Sequence, residues 1–201
     1  MEFASSVIDG RRLVIVDGAI TVLGSHGSRW LTHRAVDQLL GLPEGSTSNY
    51  YRTRQALEAA IFVRVCEVDI ISIRMVHEKA SLYPSDGQGA LAIFRDLLSL
   101  TSTTQEGILR QRARLEVFLA ATNRPNLFEL VNIHRREMRE ALGKVLEAVG
   151  LPLSASKLLA LEAFTQGLIV DACLHHPKPE PLVLDEALSC YGEFFGALKD
   201  H

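Results

Sequence analysis

Leu31-Thr32-His33-Arg34-Ala35-Val36-Asp37-Gln38-Leu39-Leu40-Gly41-Leu42-Pro43-Glu44-Gly45-Ser46-Thr47-Ser48-Asn49-Tyr50-Tyr51-Arg52-Thr53-Arg54-Gln55-Ala56-Leu57 holds two short helical patterns around a glycine-containing reversal. Thr32 is placed to N-cap the first, because a threonine hydroxyl there can accept from a backbone N–H of the opening turn, and the pattern runs to about Leu39. Gly41 supplies the reversal, and a short helix is expected after Pro43. Thr53 then stands as N-cap of a long helix to about Lys79, with Leu57, Ile61, Val65, Val68 and Met75 on one stripe. With the preceding helix, from about Gly10 to Leu23, these segments have the geometry of a helix-turn-helix. Leu13, Val16, Ile20 and Leu23 share a face of that first helix, and the stretch with Gly24 and Gly27 is expected to stop it.

The remainder is helical as well. Tyr83 to Gly87 reads as a loop before a helix with Leu91, Phe94 and Leu98 inward, and a further helix covers about Gln105 to Thr122. Pro125 suits the first position of the next, whose stripe is Leu127, Val131, His134, Met138, Leu142, Val145 and Val149. Ser154 can cap a helix to about His175, Pro177 to Pro181 reads as a stiff linker, and Asp185 caps a last helix to about Leu198. The expectation is an all-α chain of nine helices. Sustained period-two alternation is missing, as is any repeat at 20 to 50 residues.

The 31–57 segment resembles the DNA-binding signature of the TetR family of transcriptional regulators. That signature has an Ile or Val in the second helix, a Gly-Val turn, a short reading helix ending Tyr-Phe, and Ser-Lys-Glu-Ala-Leu. Val36, Gly41-Leu42, Tyr50-Tyr51 and Thr53-Arg54-Gln55-Ala56-Leu57 stand in those places. The resemblance, with helix geometry, implies a DNA-binding domain over 1–53 and a helical ligand-binding and dimerisation domain over 54–201. It implies that Glu44, Gly45, Ser46 and Ser48 face base edges in a major groove, with Asn49 also among the DNA-binding residues. Tyr50 and Arg54 would reach phosphates on one flank and Thr32 and Arg34 on the other, with Arg34 also able to read a base. Glu44 either accepts from a cytosine amine or faces solvent, and Ser48 stands where an aromatic phosphate contact is common. Tyr51, Leu57 and Trp30 read as packing residues.

A net charge of -3 over 201 residues neither predicts nor excludes DNA binding, because it sums two unlike regions. Residues 1–54 carry six arginines against five acids, leaving 15 basic and 19 acidic residues beyond them. Arginine suits bidentate contact with phosphate or guanine. Three scattered cysteines, Cys66, Cys173 and Cys190, argue against a disulfide framework or a zinc site and for a reducing, cytoplasmic setting. Asp17 and Gly18 break the early apolar run, so no signal peptide is expected, and Glu162, Gln166 and Asp171 interrupt the later one, so no membrane span is.

No nucleophile elbow, phosphate loop or zinc-protease motif occurs, so the body reads as a sensor and not an enzyme, with no cofactor or metal. His175-His176 is a minor candidate for metal. The resemblance places a ligand pocket among helices four to seven, with Met75, Phe94, Leu98, Phe118, Thr122, His134 and Met138 as candidates. Their apolar character suggests a small hydrophobic or amphipathic effector. His134 reads either as a satisfied core histidine or as a ligand contact. The last two helices have more apolar surface than one face can bury, so Leu161, Leu168, Ala172, Tyr191, Phe194, Phe195 and Leu198 are expected at a homodimer interface of the family's kind. Together these give a homodimeric repressor released from a palindromic operator by a small effector. An all-α protein-interaction module with a degenerate helix-turn-helix stays open beside it.

Overall fold

A computed structural model describes residues 10–174 and 183–199. Among them run nine α-helices and no strand: α1 Gly10–His26, α2 His33–Leu39, α3 Ser46–Tyr50, α4 Arg54–Glu78, α5 Gly87–Thr101, α6 Gln105–Ala121, α7 Pro125–Ala148, α8 Ala155–Leu174 and α9 Leu184–Lys199. Short 3₁₀ turns cover Ser28–Trp30 and Ala80–Leu82. The Pro177 to Pro181 linker and His175-His176 lie outside the described residues. No described helix is long and apolar enough to cross a membrane.

The capping residues act as their chemistry dictates. Thr32 Oγ1 accepts from Ala35 N and Thr53 Oγ1 from Ala56 N, each at 3.1 Å, which fixes the starts of α2 and α4. Asp86 Oδ1 accepts from Gln88 N and Gly89 N at the start of α5, and Pro125 opens α7. One expected boundary moves. Helix α1 continues through Gly24 to His26, because Gly24 is used for close approach and not for termination. A Cβ there would lie 2.2 Å from the Leu109 carbonyl oxygen of α6, and only glycine admits that contact. Gly27, at φ +80°, makes the actual stop.

Two apolar cores divide the molecule. The first is built from Ile15, Ala19 and Leu23 of α1, Val36 of α2, Leu57, Ile61 and Phe62 of α4, and Ala113 and Val117 of α6. The helix-turn-helix is thus packed on the opening of α4 and on α6. Each fully buried aliphatic side chain contributes about 1.5–3 kcal/mol. The second core joins the end of α4, α5, the end of α7, α8 and α9 around Phe94, Tyr191 and Phe195, with the Phe94 and Tyr191 ring centroids 4.3 Å apart. Helices α4 and α7 run through both regions, and a cavity lies between them and α6. Trp30 departs from the packing role expected of it: it is 64% exposed on its 3₁₀ turn, its ring tilted against His26.

Candidate functional site

The turn between α2 and α3 is held by one carboxylate. Asp37, buried on α2, accepts from Gly45 N (2.9 Å), Thr47 N (2.8 Å) and Thr47 Oγ1 (2.6 Å). Two orphan donors at the start of α3 are thereby satisfied by a negative charge at its N-terminal end. Burial pushes the Asp37 carboxyl up, but the bonds from Thr47 and Gly45, with His33 nearby, outweigh it and hold the group below its ordinary value. Gly45 is the N-cap of α3 at φ +91°, a left-handed conformation that favours glycine. Asp37 escapes the sequence reading because its partners lie across the turn and nothing local marks Thr47 as buried.

The candidate reading residues lie on this frame. Thr32, Arg34, Glu44 and Asn49 are exposed, while Gly45, Ser46, Ser48 and Tyr50 are half-buried. Glu44 and Gly45 precede α3 instead of opening it, because the helix starts only at Ser46. The hydroxyls of Ser46 and Ser48 donate to the Pro43 and Gly45 carbonyls, which leaves their oxygens free to accept. The Arg12 guanidinium of α1 lies 5.9 Å from the centre of the Tyr50 ring. Tyr51 packs against the first core, and Leu57 is within it.

Arg54 is bonded to the protein on one side while its side chain stays 41% exposed. Its Nη2 donates to Ser28 O and Ser28 Oγ, both at 2.6 Å, and its Nε to Glu58 at 2.9 Å. Glu58 is buried and also takes Arg124, the N-cap residue of α7, and Ser28 N donates to Glu116 of α6 at 3.3 Å. The 3₁₀ turn between α1 and α2 is therefore tied to α4 and α6 together, a connection absent from the expected phosphate contact.

The cavity encloses about 110 Å³ between α4, α5, α6, α7, α8 and α9. Phe94, Leu98, Phe118, His134 and Met138, all foreseen, line it. Met75 and Thr122 do not. Met75 is 43% exposed because the inward face of α4 is carried by Ile73 and Val76, and Thr122 is the exposed C-cap of α6, its hydroxyl spent on the Leu119 carbonyl. The polar part of the wall was not foreseen. Asp69 of α4 and Arg114 of α6 form a buried ion pair at 3.0 Å, and Glu162 of α8 takes both Arg135 and Arg139 of α7. His134 is buried with its Nε2 lacking a partner; burial above all, and Arg114 next, hold its pKa down to about 4 against a smaller opposing effect of Glu162. The imidazole is neutral at pH 7 and free to accept or donate one hydrogen bond to an occupant.

Several residues expected at a dimer interface are core residues of the chain itself. Leu161, Tyr191 and Phe195 are buried in the second core; Tyr191 OH donates to Thr165 Oγ1 at 2.8 Å. Leu168 and Phe194 pack against that core and Ala172 is half-buried, while the Leu198 side chain lies outside the described residues. Helix α8 is apolar on nearly every side, so the sequence could not say which side turns inward. The outward side carries Leu159, Ala160, Ala163 and Gly167, all exposed.

A family model for the tetracyclin repressor-like C-terminal domain matches residues 86–189, just over half of the chain. Solved structures agree over nearly its whole length. A transcriptional regulator from Rhodococcus sp. Rha1 superposes with a TM-score of 0.69 at 17% identity, covering 91% of this chain and 94% of that one. A TetR-family member from Streptomyces coelicolor A3 gives 0.62 at 23%, covering 93% and 99%. The multidrug binding protein EbrR complexed with proflavin gives 0.56 at 25%, covering 92% and 99%. No curated protein matches the chain by sequence.

Proposed function

The chain belongs to the TetR family of transcriptional regulators, and from that premise we propose that it is a homodimeric repressor, released from a palindromic operator by a small apolar or amphipathic effector. One observation carries this reading: two helices are shared between the cavity and the helix-turn-helix. Helix α4 lines the cavity at Asp69 and Ile73 and holds Ser28 through Arg54. Those ends stand about 22 Å apart at the rise of an α-helix. Helix α6 lines the cavity at Gln111, Arg114 and Phe118, and holds Ser28 through Glu116 and α1 through the Gly24 contact. An effector that binds one arrangement of these helices better than the other changes the separation of two reading helices, which must meet major grooves about 34 Å apart.

Residues 1–53 form the reader in this proposal and 54–201 the sensor. Gly45, Ser46, Ser48 and Asn49 address base edges; Thr32, Arg34 and Tyr50 address phosphates, Arg34 also a base; and Glu44 lies at the rim. Arg54 braces the reader through Nε and Nη2, which Glu58 and Ser28 engage, and its Nη1 side is what it offers to a phosphate. The outward side of α8 pairs with its symmetry mate, its small residues permitting close approach of the two helices. The cavity has the character of a binding site and not a catalytic one, since its carboxylates are committed to arginines.

Selection of DNA from a random pool tests the proposal. The expected result is a palindromic consensus whose affinity falls steeply with salt. Absence of any enriched sequence would refute the reader and favour an interaction module. Sedimentation tests the assembly: a dimer at micromolar concentration, converted to monomer by Ala163→Glu, is expected, and a monomeric parent chain would remove the basis for a palindromic site.

A further inference from the structure

The cavity has an apolar wall made by Ile73, Phe94, Leu98 and Met138, and its polar groups are unusual in sign. Three guanidiniums, of Arg114, Arg135 and Arg139, face two carboxylates, of Asp69 and Glu162. Both carboxylates are already paired, Asp69 with Arg114 at 3.0 Å and Glu162 with the other two arginines. A cationic ligand would therefore find no uncommitted carboxylate. To take one, it would have to break a pair and leave a guanidinium without its partner, which a low-dielectric site penalises heavily. Burial pushes the Asp69 carboxyl up, and any proton it gained would only add to the positive excess.

Among the residues lining the cavity, hydrogen-bonding capacity is left over on side chains that are more than nine-tenths buried. Arg114 uses Nη1 on Asp69 and has no partner for Nε–H, His134 has none for Nε2, and Gln111 has none for Oε1. Three such groups on residues that line one cavity are unusual, because buried polar atoms are nearly always satisfied. Arg114 supplies a charged donor, the neutral His134 can add a second donor, and the Gln111 amide can turn either end toward a ligand. The Arg135, Arg139 and Glu162 group is more exposed and stands toward the mouth. A cavity of about 110 Å³ suits an occupant near the size of a single ring or a short chain.

We infer that the effector is a small amphipathic acid, with an apolar body against Phe94, Leu98 and Met138 and a carboxylate head on Arg114 Nε–H and His134 Nε2. This deepens the effector-responsive reading above and rests on it for the identity of the cavity as the effector site. Arg114 lies on α6, so the head group of the ligand is held by the helix that also grips α1 and Ser28.

The test uses the full chain and matched probes: benzoate, 3-phenylpropanoate and octanoate, each beside its primary amide and its ammonium counterpart, in calorimetric and thermal-shift titrations. At least one acid should bind about tenfold or more tightly than its amide, with no response to the ammonium at about 1 mM. Failure of every acid to bind, or an ammonium as effective as its acid, overturns the inference. The paired variant D69N/R114Q leaves no lone buried charge and should bring acid and amide to within about threefold of each other; an undiminished preference in the folded variant overturns the head-group assignment. Should that pair fail to fold, His134→Leu reads the same contact through a loss of acid affinity with amide affinity retained less affected, and equal affinity for the acid before and after counts against it. A DNA arm separates the two levels. Selected operator DNA released by neutral or ammonium probes but not by acids leaves the regulator standing and removes the acid. Acid binding without any selected DNA does the reverse.

Discussion

Replacement of Asp37 tests whether one carboxylate sets the reading helix. Asp37→Ala removes the acceptor of three donors. Gly45 is half-exposed and its N–H can turn to water, whereas Thr47 is fully buried and cannot. The irrecoverable part is the Thr47 N–H and hydroxyl, at about 1–3 kcal/mol for a buried donor left without a partner, so a total near 3 kcal/mol is expected. That is a large fraction of the stability of an ordinary domain. Asp37→Asn keeps one oxygen for Thr47 and turns an amine toward the Gly45 N–H; it should cost about 1–2 kcal/mol. The loss carries a pH signature. Because the folded carboxyl titrates below its ordinary value of 3.8, its contribution is complete above that value and disappears as pH falls through the lower folded one. Urea unfolding between pH 7 and pH 3 reads both quantities, and affinity for selected operator DNA reads the position of α3. Asp37→Ala within about 0.5 kcal/mol of the parent, with DNA binding unchanged, would refute the argument that this residue organises the turn.

Three further outcomes are expected. His134 titrates at about 4 in the folded chain against 6.5 when free, so the unfolded state takes up the proton first and stability falls as pH drops through that window. The loss from pH 7 to pH 5 is about 2 kcal/mol, and His134→Asn should flatten the slope; parallel stability curves would contradict the burial argument. Gly24→Ala sets a Cβ against the Leu109 carbonyl and must push α1 off α6, at about 1–3 kcal/mol or more by thermal unfolding; an unchanged melting temperature would mean that the helices separate freely. Arg54→Ala frees Ser28 and leaves Glu58 with Arg124 alone, so a destabilisation of about 1–2 kcal/mol is expected, together with weaker DNA binding. Weaker binding at unchanged stability would instead indicate a direct phosphate contact.

The parts of the fold legible in the sequence were those governed by local chemistry. Thr32, Thr53 and Pro125 mark helix starts because a cap or a missing N–H acts within one turn. Periodicity places Phe94, Leu98, His134 and Met138 inward for the same reason, and Phe118 follows from the resemblance. Gly24 misled because its use is tertiary: nothing local distinguishes a glycine that ends a helix from one that lets another helix approach. Tyr191 and Phe195 are expected at an interface from sequence because an apolar face says only that something covers it, and here α5 and α8 do. The ion pairs of the cavity were invisible for a related reason. Asp69 and Arg114 are 45 residues apart, and each alone reads as a solvated charge.

The cavity and the reader can be related energetically as well as spatially. An effector shifts the balance between two arrangements only through its difference in affinity for them. Converting a population from about 99% bound-competent to about 99% released takes about 5.5 kcal/mol, and a single coupling is commonly about 1–3 kcal/mol. A dimer supplies two equivalent sites, so about 2.7 kcal/mol per site would suffice under the proposed assembly. The buried groups lacking partners are a source of that size: satisfying Arg114 Nε–H and His134 Nε2 recovers about 1–3 kcal/mol for each group, in whichever arrangement brings both to the ligand. The contacts that carry the shift have little slack. Leu109, Arg114 and Glu116 lie within about 11 Å along one rigid helix, and Gly24 meets Leu109 at a distance no side chain could fill. Under the proposed coupling, a movement of α6 toward a ligand is passed to α1 across the Gly24 contact and to the Ser28 turn through Glu116.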